Sequence, residues 1–316
     1  MVDAILHIGF GKTGTSSIQR YLCEHDLSGT NIVYGALNEQ GELLTGEALR
    51  ISARRSVLGY VSSTPLSVAG DPVRAIKTIR EQDSIPLLSQ EDWSRTAEPL
   101  SYLHDVKLKV IAYVRPQVEW FNAAWWQWWR WENVFSSPSD ILGQWSSYFL
   151  QWTAQLDSWR QSPLVSECTV RLHTHDVVPD LLSILGCTEL KPAQRINQSL
   201  SPTILKLYEA APTLRKANPP EMDALLQSVV ADKRRAPWVI PRSLAQRIID
   251  ETADSNLALR EYLSPDQRQL MDVDRRWWSA DAYSDLRCEE LDPISTDELL
   301  SIISSLSQAM LANRSS

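Results

Sequence analysis

The sequence is poor in the residues that advertise most chemistries. Its four cysteines, Cys23, Cys168, Cys187 and Cys288, are scattered through 316 residues with no CxxC pair. They read as reduced, mostly buried thiols rather than a disulfide framework or a thiolate metal site. A basic excess is also missing. Thirty-one Lys and Arg stand against 39 Asp and Glu, a formal net charge of −8. That argues against a nucleic-acid partner and requires any anion site to be a local basic pocket on an acidic body. No apolar run is long enough to cross a bilayer, and the apolar start Ala4 to Phe10 is short and contains His7. No basic stretch leads into a long apolar one, so a cytoplasmic protein without a membrane span is expected.

What the chain does have is tryptophan. There are 13, ten of them from Trp93 to Trp159 and six from Trp120 to Trp131. Strand and helix patterns alternate along the first 190 residues. Ala4 to Ile8, Asn31 to Tyr34, Ile85 to Ser89, Lys107 to Val114 and Cys168 to His173 read as strands. Thr15 to Cys23, a helix capped by Asp71 with Pro72 at its first turn, one starting at Pro116, one or two over Ser139 to Arg160, and Pro179 to Leu185 read as helices. The fold class that follows is α/β, a central parallel sheet flanked by helices. Beyond about Lys191 only helices follow: one capped by Ser201, then Glu221 to Ala231, Ser243 to Leu263 and Thr296 to Leu311. The expected organisation is an α/β core over 1–190 and a helical C-terminal part over 191–316 packed on it, working as one unit.

The most informative stretch is "ILHIGFGKTGTSS", Ile5 to Ser17. A strand, a glycine-rich turn and a helix aim backbone N–H groups and a helix dipole at one point, which makes an anion cradle. It is not the nucleotide-kinase P-loop. From Gly9 the second glycine is Gly14, but Thr15 follows where a lysine is required. From Lys12 backward, the first glycine would fall on Leu6. Gly9, Gly11 and Gly14 match the dinucleotide spacing, yet no carboxylate follows a second strand at the needed place.

The segment "GKTGTSS", Gly11 to Ser17, resembles the 5′-phosphosulfate loop of sulfotransferases that use 3′-phosphoadenosine 5′-phosphosulfate (PAPS). The resemblance implies a P-loop-like sulfotransferase fold and PAPS as co-substrate. Gly11 and Gly14 would let the backbone close on the phosphate, and Thr13, Thr15, Ser16 and Ser17 would offer hydroxyl and amide donors. Lys12 would reach the oxygen bridging phosphorus and sulfur, where charge builds as the sulfuryl group leaves. The family's 3′-phosphate motif is an arginine at the end of a later strand and a serine eight residues on. "VIAYVRPQVEWFNAA" supplies Arg115 but has Ala123 at the serine's place, with Asn122 beside it. "NQSLSP" at 197–202 and "DSNLALREYL" at 254–263 are similar to segments of bacterial members.

Sulfuryl transfer to a hydroxyl or amine needs a base near the acceptor, and Glu91 in "IPLLSQEDW" stands just past an interior strand. Its alternative is a structural role, as a helix cap or as partner to an arginine such as Arg95. His175 or His104 is the second choice, and His7 reads as a core residue. His173 and His175 would share one face if the strand continues to them but lack a third ligand, and the reaction needs no metal, so none is expected. The tryptophan run reads as a continuation of the Pro116 helix, mainly core, with one or two rings free to line a groove for a carbohydrate or small-molecule acceptor. Arg130 within it could stack or meet an acidic acceptor. Two rivals remain: a nucleotide-dependent kinase with a variant P-loop, and a catalytically silent binding module of the same fold.

Overall fold

The computed structural model of the chain describes residues 2–38, 40–56, 58–64, 71–94, 101–132, 135–173, 176–187, 189, 191, 199–217 and 219–313. Arg95, His175 and Asn197 lie outside them. Six strands among the described residues form one sheet: β1 (Ala4–His7), β2 (Ile32–Leu37), β3 (Leu43–Thr45), β4 (Ile85–Ser89), β5 (Leu108–Val114) and β6 (Val165–Leu172). Their spatial order is β3-β2-β4-β1-β5-β6. Every pairing is parallel except the short β2–β3 ladder at one edge.

Helices α1 (Thr15–Glu24), α2 (Gly46–Arg55), α3 (Pro72–Arg80), α4 (Gln117–Gln127), α5 (Pro138–Phe149), α6 (Trp152–Arg160) and α7 (Val177–Ile184) accompany the strands. Six more follow the last strand: α8 (Pro202–Ala210), α9 (Pro212–Ala217), α10 (Pro219–Val229), α11 (Arg242–Leu259), α12 (Pro265–Val273) and α13 (Thr296–Asn313). The chain is thus an α/β protein with a six-stranded, mostly parallel sheet and a helical C-terminal part. No helix among the described residues is long and apolar enough to cross a membrane.

Side chains alternate across a strand, so a sheet covered on both faces needs apolar residues at every position. β1 and β5 come close to it, departing only at the buried His7 and at Lys109, which is paired with Glu167. Ala4, Leu6, Leu108, Val110, Ala112 and Val114 enter one buried cluster, while Ile5, Ile111 and Tyr113 enter another. The second cluster is closed by α1, α2 and α7, through residues such as Ile18, Leu22, Leu49 and Leu181. The first receives α3 to α6 and most C-terminal helices, with Trp93, Trp120, Trp125, Trp126, Trp152, Trp159 and Trp277 buried in it. One continuous core therefore joins the residues before and after 190 on that face.

Local chemistry explains several boundaries. The Asp71 carboxylate accepts from the Arg74 amide at 2.9 Å, an N-cap as expected. Ser201 departs from expectation, because its hydroxyl makes no cap bond and is buried without a partner. The tryptophan helix also departs. It stops at Gln127, and Trp129–Trp131 form a separate 3₁₀ turn. The last carbonyls of a helix need donors from elsewhere. Here the Trp131 indole N–H donates to Trp126 O at 2.8 Å, and Arg215 donates to Gln127 O at 2.7 Å. These side chains satisfy the helix end and let the chain turn away. β3, α2, α9 and α12 have no counterpart in what the sequence suggested.

Candidate functional site

In an open parallel sheet, ligands bind beyond the carboxyl ends of strands where the connections part to opposite sides. β1 sits between β4 and β5. The segments leaving these three strands carry Lys12, Glu91 and Arg115, so the topology brings three distant parts of the chain to one edge.

The turn after β1 is tightly fitted. Gly9 admits no side chain, since a Cβ there would lie 2.0 Å from the Thr15 hydroxyl oxygen. Gly14 has φ +92°, and its missing Cβ faces a Val177 methyl carbon at 2.6 Å. Lys12 also adopts the left-handed region, with φ 66°. Successive residues of mixed handedness bring neighbouring amides together into a concave nest for an anion. α1 begins at Thr15 behind Gly14, a cap residue with no side chain to offer its first amides. The Thr15 hydroxyl is buried with no hydrogen-bond partner. Thr13 turns its own hydroxyl back onto Phe10 O, which removes it from the expected donors and leaves its amide. Ser16 Oγ accepts from the Tyr60 hydroxyl at 3.1 Å, which places Tyr60 at the site.

Around Gly11 the approach is closer still. A Cβ at Gly11 would stand 3.0 Å from the Trp128 ring and 3.7 Å from Glu91 Oε2. The Lys12 ammonium lies over the Trp128 ring, 5.4 Å from a ring centroid. Burial pushes the Lys12 pKa down to about 8, against the opposing pull of Glu91 and Asp223. Glu91 opens a 3₁₀ turn, Glu91–Ser94, directly after β4 and is half-buried. Its backbone N–H donates to Gln90 Oε1 at 2.8 Å. Asp92 beside it is exposed.

Arg115 enters from β5. Its guanidinium donates to Lys12 O at 2.9 Å and to Glu119 at 3.1 Å, while its Nε is buried without a partner. Glu119 also accepts from Arg276 at 3.0 Å, so one carboxylate bridges two guanidiniums. His173, at the end of β6, stands in the same field. Burial, then the charge of Arg115, lowers its pKa to about 4, which keeps it neutral near pH 7. His7 is likewise neutral, lowered to about 4 by burial, with Nδ1 2.8 Å from Ser89 Oγ. His104 is exposed. Among the described residues no three His, Cys, Asp or Glu side chains gather to hold a metal ion.

Of the residues singled out from the sequence, Gly11 to Ser17, Glu91 and Arg115 meet at this edge. Asn122 is occupied elsewhere: its amide accepts from the Val239 N–H at 2.9 Å and donates to Pro237 O at 3.4 Å. Ala123 offers no polar group in the serine's place. Arg130 is taken by Glu209 at 2.7 Å. Trp128 is one ring of the tryptophan run, from which one or two rings were expected to line a groove; Tyr60, Glu119, Arg276 and the buried Arg215–Asp223 pair were not anticipated at the site. Arg215 and Asp223 lie near enough for both charges to act on Lys12. No short-range pattern marks them, because they come from five different segments. No protein-family model matches this chain, and no curated protein is significantly similar to it.

Proposed function

We propose that the chain is a PAPS-dependent sulfotransferase of P-loop-like fold, acting on a hydroxyl or amine of a carbohydrate or other small metabolite. One observation carries the reading: the turn Gly11–Ser17 that resembles a phosphosulfate loop lies within reach of both a carboxylate, Glu91, and a second cation, Arg115. The sheet order, with the loop-bearing strand between β4 and β5, supports the fold.

The proposed chemistry is an in-line displacement at sulfur. The acceptor oxygen or nitrogen forms a bond to sulfur as the bond from sulfur to the bridging oxygen breaks. Glu91 takes the acceptor proton, and the electron pair stays on the departing phosphate oxygen. Lys12 and the loop amides stabilise that charge, which is the role in which fixed donors contribute most. The Thr15 hydroxyl gains an acceptor when a phosphate oxygen arrives. Arg115 holds the 3′-phosphate, alongside Arg276 once Glu119 yields.

A silent binding module is the second reading, favoured by Ala123 and by the engagement of Arg115 with Glu119. A kinase with a variant P-loop would instead select ATP. Calorimetric titration with 3′-phosphoadenosine 5′-phosphate and with ATP, followed by transfer of labelled sulfate to an acceptor panel, separates the three. Binding of the bisphosphate with transfer is the expected result. Binding without transfer leaves the silent module, and a preference for ATP overturns the donor assignment.

A further inference from the structure

We infer, on the basis of the anion-loop reading above, that Trp120 is a positioning residue for that loop, holding the Gly11 carbonyl out of the anion site. Three donors act on the backbone here. The Trp120 indole N–H donates to Gly11 O at 2.7 Å, and Arg115 donates to Lys12 O at 2.9 Å. The Trp152 indole N–H in turn donates to Arg115 O at 3.1 Å. Trp120 is itself fixed, 4% exposed and edge-on to Trp152 and Trp129 with centroids 5.6 and 5.8 Å apart.

A peptide plane is rigid, so pinning its oxygen to one side commits its N–H to the other. Pinning Gly11 O and Lys12 O outward commits the amides of Lys12 and Thr13 to the opposite side, where a nest requires them. Gly11 cannot supply this constraint itself. Without a Cβ it tolerates either peptide orientation, and the flipped one would set a carbonyl oxygen against a bound oxyanion. The tryptophan-rich helix thus does more than fill space: one of its indoles selects the binding orientation of a loop more than a hundred residues away in sequence.

The test compares Trp120→Phe with Trp126→Phe. Both keep a large ring in the same helix and delete one indole donor; that of Trp126 serves Pro237 O at 2.8 Å, away from the loop. Wild type and both variants are titrated by calorimetry with 3′-phosphoadenosine 5′-phosphate and, separately, with inorganic pyrophosphate, and their urea midpoints are measured. Trp120→Phe is expected to bind both ligands about tenfold more weakly, and Trp126→Phe to bind as wild type does, although both lose similar stability. Equal affinities in the two variants overturn the inference. If wild type binds pyrophosphate but not the nucleotide, the donor assignment fails, while a loss of pyrophosphate affinity confined to Trp120→Phe still supports the clamp. If wild type binds neither, both fail.

Discussion

The two faces of the sheet solve the same burial problem with different materials. Among the described residues, the face covered by α1, α2 and α7 is filled by Ile, Leu, Val, Ala, Tyr and Cys23 and contains no tryptophan. The opposite face holds seven buried tryptophans and takes in most C-terminal helices. Aliphatic side chains contribute volume alone. An indole contributes about 150–250 Å² of burial and one directional donor. Here those donors go repeatedly to backbone carbonyls: Trp120 to Gly11, Trp126 to Pro237, Trp152 to Arg115 and Trp159 to Trp93. The anion loop straddles the boundary. Gly14 rests on Val177 from the aliphatic face, and Gly11 rests on Trp128 from the other side. One face lets the turn close, and the other decides which way its peptides point.

The contrast can be broken first by stability. Trp159→Ala should lower the unfolding free energy by about 3–5 kcal/mol, because it opens a large cavity and strands the Trp93 carbonyl. Leu22→Ala on the aliphatic face should cost about 2–3 kcal/mol. Equal losses in urea titrations would mean that the indole donors add nothing.

A second comparison sets the loop against its walls. Lys12→Met should slow sulfuryl transfer about 10²–10³-fold with no loss of stability. The lysine's folded pKa, about 8, lies below its ordinary 10.5. Between those values the unfolded chain binds more protons, so wild-type stability should rise with pH across that window. In Lys12→Met the rise should vanish. A variant that is inactive because it is unfolded would refute the functional assignment of the residue.

Glu91→Gln should slow turnover about a hundredfold while leaving donor binding intact. Near-normal turnover would remove Glu91 from the role of base. The smallest effect concerns pH. On the proposed sulfotransferase reading, kcat/KM for the donor should fall about tenfold per pH unit above about 8, as the Lys12 ammonium deprotonates. Lys12→Arg should carry that limb out of the accessible range, and persistence of the limb would assign it to another group.

Much of the fold was legible because its signals are local. Ile85 to Ser89 is a strand in the sequence and β4 in the structure, and Asp71 with Pro72 begins a helix in both. The break after Gln127 was not legible. The composition from Trp120 to Trp131 suits an unbroken helix, and one of the two donors that satisfy its end comes from Arg215, 88 residues onward. The site divides in the same way. The order glycine, lysine, hydroxyls within seven residues marks the turn on which the proposed anion site rests. Nothing near Arg115 announces that it would clamp the Lys12 carbonyl, and nothing near Glu119 announces Arg276.

By itself, then, the sequence determined five of the six strands, most of the helices and the place of the glycine-rich turn between the first strand and the first helix, because periodicity, caps and glycine spacing act over a few residues. The tertiary structure alone decided which ring lies against Lys12, which carboxylate faces it and which way the loop's carbonyls turn. Those choices depend on donors and charges brought together from distant segments, and no local pattern encodes a contact between them.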